Sequence, residues 1–166
     1  MLNKNNSVEE ILKTLENKNI SVNSFYYKNK SQDDFWSFLK NQNKKGIYIF
    51  LDLNRLDEKQ VIYVGKAGPT GKGSSQTVKL RISNHYFFSR NVLNTSPLDN
   101  DEKYIAFKKF NSKQKNPKNI QIKRNDFALI TMQIENNEIT SELLESYLLC
   151  KLFKEKDHFP DANTEI

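Results

Sequence analysis

The residues whose types and spacing could do chemistry are two tyrosines, an arginine–histidine pair and a single helical glutamate. Tyr48 closes the triplet Gly46-Ile47-Tyr48 and Tyr63 opens Tyr63-Val64-Gly65, fifteen positions on. If the two triplets lie on paired strands, the phenols could face one another, although two strand tyrosines serve a core equally well. Arg81 and His85 are four apart and share one flank of a helix. There a guanidinium can clamp a phosphate with two parallel hydrogen bonds, and an imidazole can accept a proton near neutral pH. The pair alone fits a solvated arginine and a satisfied polar histidine just as well. At 100° per residue, Glu145 falls within about 60° of Ser141, Leu148, Leu149 and Leu152. A carboxylate inside an apolar stripe is expensive unless a metal ion or a cationic partner offsets its charge. Glu142 sits at the edge of that stripe, nearer solvent.

Other chemistries drop out. The loop Gly65-Lys66-Ala67-Gly68-Pro69-Thr70-Gly71-Lys72-Gly73-Ser74-Ser75 suggests a phosphate-binding P-loop, but Gly71-Lys72 is followed by Gly73 and preceded five residues earlier by Lys66, so the pattern fails. A basic loop that touches a phosphate backbone remains open, with Lys66 and Lys72 as its cations. One Cys and two His cannot build a standard zinc cage. Cys150 has no partner for an internal disulfide, and its apolar helical setting predicts a buried thiol.

The charge distribution points to a polyanion. The 166 residues carry a net charge of +6, with 26 basic and 20 acidic side chains. Acidic residues are missing from Lys59 to Leu98 and again from Lys103 to Arg124, and the second run also holds Tyr104, Phe107, Lys108, Lys109 and Phe110. An AT-rich genome enriches Lys and Asn everywhere but does not delete Asp and Glu locally. Contact with phosphates would favour that deletion, because each neutralised phosphate releases counterions.

These residues need a scaffold, and the pattern supplies one. Ser7 with Glu10 opens a first helical pattern, Ile20 to Tyr27 is β-prone, and Ser31 with Asp34 caps a second helix bearing Phe35, Trp36, Phe38 and Leu39. Residues 1–45 read as an N-terminal helical extension on a domain spanning 46–166. Gly46–Leu53 and Val61–Val64 read as a β-hairpin across the turn NRLDEKQ. A helix follows from about Gln76 to Phe88, then strands Tyr104–Phe110 and Asp126–Ile134 joined by a basic loop, then a helix capped by Thr140. The fold class is α+β, with a small, mostly antiparallel β-sheet flanked by helices. Eleven Phe and seven Tyr provide for a core. The chain contains no apolar run of about 18 residues, and the N-terminus lacks a signal-peptide core, so the expected compartment is the cytoplasm.

Taken in order, the motifs resemble the GIY-YIG nuclease superfamily. Gly46-Ile47-Tyr48 matches the first half-motif, Tyr63-Val64-Gly65 the second with Val for Ile, Arg81 and His85 the Arg-x-x-x-His/Tyr helix, and Leu143-Leu144-Glu145-Ser146-Tyr147-Leu148 the metal-binding glutamate segment. Asn163 stands near the family's late asparagine, at a longer spacing. The likeness spans about residues 46–163. It departs from the family in a longer stretch from Tyr63 to Arg81 and in the lack of an appended DNA-binding module, which favours a compact restriction-endonuclease-like member.

The resemblance implies a Mg²⁺-dependent DNA endonuclease, with Mn²⁺ or another divalent cation as an alternative. Glu145 would hold the ion, Arg81 the scissile phosphate, and Tyr48 or Tyr63 the attacking water. A phenol with an ordinary pKa near 10 would need that value lowered by Lys66 or a relay through His85. Lys66, Lys72, Lys108, Lys109 and Asn163 would contact the substrate. A structure-selective repair or recombination nuclease and a catalytically inactive nucleic-acid-binding module are the competing readings. A palindromic cutter would call for a homodimer, for which Phe35, Trp36 and Phe38 offer a contact unless they are local core.

Overall fold

The structure, a computed structural model, describes residues 20–56, 59–68, 76–85, 104–106, 121–135 and 140–156. For residues 32, 84, 85, 104–106, 121 and 152–156 it describes the backbone alone. The described elements are strand β1 (Ile20–Tyr26), helix α1 (Gln32–Lys40), strands β2 (Gly46–Asp52) and β3 (Val61–Ala67), helix α2 (Val78–His85), strands β4 (Tyr104–Ala106), β5 (Gln121–Lys123) and β6 (Phe127–Ile134), and helix α3 (Ser141–Lys156). The expected α+β fold is present: a four-stranded antiparallel sheet in the order β1-β6-β2-β3, with helices on both faces.

The sheet's centre follows from its sequence. All eight residues of β6, FALITMQI, are buried, as are the first six of β2. A continuous apolar run survives only where both faces and both edges of a strand are covered. Along β2, Tyr48 and Phe50 face one way, with Leu129 and Phe127 of β6, and pack against Phe35 and Leu39 of α1 and Val78 and Ile82 of α2. Ile47, Ile49 and Leu51 face the other way, with Ile130 and Met132, and pack against Leu144, Leu148 and Leu149 of α3. Each such side chain contributes roughly 1.5–3 kcal/mol when fully buried.

The β2–β3 hairpin forms as expected. Its turn is pinned by Asp52, which accepts from Asn54 N at 3.1 Å and from Arg55 Nε at 3.2 Å. The register slips between Phe50 and Leu51, leaving Ile62 as an extra residue on β3. Ser31 and Asp34 form the expected capping box on α1: Asp34 N donates to Ser31 Oγ at 3.1 Å and Ser31 N to Asp34 Oδ2 at 2.7 Å.

Residues 20–45 are woven into the core. Strand β1 pairs with β6 over its full length, from Ile20 opposite Ile134 to Tyr26 opposite Ala128. Phe35 is fully buried and stacks on Tyr27, with ring centroids 5.7 Å apart, and Trp36 and Phe38 pack against the same cluster. The aromatics offered above as a dimer contact are therefore local core. The Ser7 helix lies outside the described residues.

Three further outcomes differ from the sequence reading. The strands form two sheets and not one: β6 pairs with β1 and β2, while β4, the described part of Tyr104–Phe110, pairs with β5 in a separate ribbon. Strand β5 is a three-residue piece in a basic run whose one apolar side chain, Ile122, is fully buried, too short for an alternation pattern to reveal. Cys150 is exposed, not buried, because α3 turns Leu144, Leu148 and Leu149 inward and leaves Cys150 on its outer side. Among the described residues, no helix is long and apolar enough to cross a membrane.

Candidate active site

The tyrosines are brought together by a glycine. In the β2–β3 register Tyr48 lies opposite Gly65, and Tyr63 lies opposite Phe50. The two phenols are thus diagonal neighbours on one face, with ring centroids 6.0 Å apart. A Cβ on Gly65 would come within 2.4 Å of Tyr48 Cζ and 2.5 Å of Tyr63 Cε1. The bare backbone of Gly65 is the floor on which both rings rest. Gly46 is equally constrained, since a Cβ there would lie 1.9 Å from the carbonyl oxygen of Met132. Tyr48 is fully buried, whereas Tyr63 is half-buried and within reach of solvent.

Helix α2 is docked by the segment that follows α1. Val78 N donates to Lys44 O at 2.9 Å and Lys79 N to Gln42 O at 2.8 Å, while Leu80 N donates to Thr77 Oγ1 at 3.2 Å. These contacts satisfy the N–H groups that a helix leaves open in its first turn. Gln42 is itself held against the sheet, where its Oε1 accepts from buried Thr131 Oγ1 at 2.6 Å. Arg81, one turn into α2, is half-buried and donates from Nη1 to Gln76 Oε1 at 3.3 Å. Gln42, Gln76 and Thr131 carry no chemical signature in the sequence, which is why pattern reading passes over them.

On the opposite face, β3 meets α3. Lys66 alternates with Gly65 along the strand, so its side chain leaves on the α3 side. There Nζ lies 3.3 Å from Glu142 Oε1 and 3.4 Å from Glu145 Oε2. The two partners differ: the Glu142 side chain is 69% exposed and that of Glu145 only 18%. Glu145 therefore sits inside the apolar stripe of α3, and Glu142 at its wet margin. Burial pushes the Glu145 carboxyl above the ordinary glutamate range; Lys66 and Arg81 pull it down and Glu142 adds to the rise. Gly68 seals the junction, since a Cβ there would lie 2.4 Å from Ser141 Oγ. Lys66, Gly68, Gln76, Arg81, Ser141 and Glu142 line a cleft of ≈ 60 Å³.

The structure thus gathers Arg81, Lys66 and Glu145 around the end of β3, the edge strand of the sheet, while the tyrosine pair lies on the same hairpin but on the face covered by α1 and α2, opposite to α3. Lys66 engages the carboxylates of α3, not the phenols whose acidity it was expected to tune. His85 closes α2, and its side chain lies outside the described set. Lys72, Lys108, Lys109 and Asn163 lie outside the described residues as well.

A half-buried carboxylate paired with a single lysine, with a second carboxylate one turn away, suits a hard divalent cation. Mg²⁺ takes one or two carboxylates and keeps several waters. Among the described residues no group of three or more His, Cys, Asp or Glu side chains comes together, so an all-protein cage is not formed there. No protein-family model, no curated protein and no solved structure matches the chain.

Proposed function

We propose that the protein is a divalent-cation-dependent DNA endonuclease of the GIY-YIG type, a compact restriction or mobile-element defence nuclease that hydrolyses phosphodiester bonds. The observation that carries this reading is the Gly65 niche: the Gly-Ile-Tyr and Tyr-Val-Gly triplets pair so that both phenols share one glycine floor, on the strand whose next residue, Lys66, contacts Glu145. A P-loop and a zinc cage find no matching residue pattern in the sequence.

The chemistry asked of these residues is modest. Hydrolysis needs an aligned water, a proton acceptor and positive charge at the phosphate and the leaving oxygen. Arg81 holds the non-bridging oxygens of the scissile phosphate. Tyr63, the solvent-reached phenol, aligns the water and, ionised directly or by relay to His85, takes its proton as the water oxygen bonds to phosphorus and the bond to the leaving oxygen breaks. Tyr48, buried behind it, fixes the ring geometry. Glu145 would hold the cation, and a Mg²⁺ bound there would supply Lewis-acid stabilisation of the developing charge. The acid-free stretches that include Lys72, Lys108 and Lys109 draw the DNA backbone in.

The test is direct. Purified protein incubated with varied duplex DNA in Mg²⁺ buffer should yield discrete fragments, and the same reaction in EDTA should yield none. Salt-sensitive DNA binding without cleavage under any divalent cation would instead identify a binding module.

A further inference from the structure

Lys66 stands where a cation would have to go. Its ammonium is 3.4 Å from Glu145 Oε2, the carboxylate most withdrawn from solvent in this site, and at the same time 3.3 Å from Glu142 Oε1. The two glutamates are three residues apart on α3 and so lie one above the other on one helix face. A lysine reaching both from the neighbouring strand can shift between them by turning its flexible stem, since an ammonium is a compact point charge with rotatable donors. A divalent cation and an ammonium cannot share one small carboxylate without strong repulsion.

We propose that Lys66 is a built-in competitor for the cation site: it occupies Glu145 when the cation is absent and is retained on Glu142 when a divalent cation takes Glu145. Glu142 is then a parking carboxylate that makes the exchange easier, acting through Lys66 and not as a ligand. The ammonium also spares the half-buried Glu145 from standing uncompensated before substrate and cation arrive, and Arg81, whose charge reaches the same carboxylate, stays engaged with Gln76. This inference rests on Glu145 being the cation's ligand.

Mn²⁺ binding to the full chain without DNA, followed by the loss of free-ion paramagnetic resonance signal, tests it. Lys66→Met should tighten Mn²⁺ binding roughly fivefold, the worth of one partly exposed charge pair. Glu142→Gln should weaken binding in the wild-type background, because Lys66 then has Glu145 alone, but should have no effect in the Lys66→Met background. Lys66→Gln serves as a second variant, and circular dichroism checks the fold of each. Unchanged affinity in both Lys66 variants, or equal weakening by Glu142→Gln in both backgrounds, overturns the exchange; the second result would make Glu142 a ligand. Glu145→Gln binding Mn²⁺ as tightly as wild type, or a wild type that binds none, instead overturns the proposed site itself, so the two failures are distinguishable.

Discussion

Tyr48 and Gly65 face each other directly across the β2–β3 hairpin, and the Tyr48 ring occupies the space that a Cβ on Gly65 would need. Gly65 is therefore fixed by side-chain packing, not by turn geometry. Gly65→Ala should destabilise the protein by about 1–3 kcal/mol, the usual cost of overpacking a filled site. Because the methyl would press on both phenols, cleavage should fall further than the unfolded fraction explains. Urea denaturation alongside cleavage at matched folded fraction checks this.

The phenols should separate in their effects. Tyr63→Phe keeps the ring and removes the solvent-reached hydroxyl, so single-turnover cleavage should drop about 10²-fold with DNA affinity unchanged. Tyr48 is fully buried, and Tyr48→Phe should cost less in rate. The reverse order would move the proton acceptor to Tyr48.

The Glu145 carboxyl predicts a pH dependence of stability. Burial raises its pKa above the ordinary value of 4.5, so the folded chain holds a proton that the unfolded chain releases, and stability falls as pH rises through that window. In metal-free buffer, Glu145→Gln should match wild type below the unfolded value and gain on it as pH rises, levelling off above the folded value. Thermal melts of both proteins across this range measure the gap; a gap that shrinks with rising pH would contradict the burial argument.

The capping box on α1 predicts the opposite sign. Hydrogen bonds from the Ser31 backbone and side chain hold the Asp34 carboxyl below its ordinary range, so its contribution is present above the unfolded value and is lost as pH falls through the folded one. Ser31→Ala should cost about 1 kcal/mol at neutral pH. Melts of the variant at neutral and acid pH should show that cost shrinking in acid.

How far the sequence carries the structure depends on which signals are local. The capping box at Ser31, the hairpin joining Gly46–Leu53 to Val61–Val64, and the position of Glu145 within the stripe of α3 were legible because each rests on a short spacing or a helical angle. Cys150 was misplaced by its apolar run alone, since a run in sequence does not say which of its members turns outward. Strand pairing was less legible: nothing within β6 announces that its neighbours are β1 and β2, one of them more than a hundred residues away. The contacts that seat Arg81, from Gln42, Lys44, Gln76 and Thr131, are ordinary polar residues whose role exists only in three dimensions. Lys66 was visible as a cation, but its choice of α3 over the phenols follows from strand alternation against a helix whose docking the sequence does not state.

The central claim is that Glu145 supports cation-dependent phosphodiester cleavage. Glu145→Ala, assayed with Mg²⁺ on a duplex that the wild type cuts, with binding to the same duplex measured in parallel, tests it most directly. The account predicts that cutting is lost while DNA binding persists within about threefold, a difference of less than 1 kcal/mol. Cleavage that survives both Glu145→Ala and EDTA would contradict it.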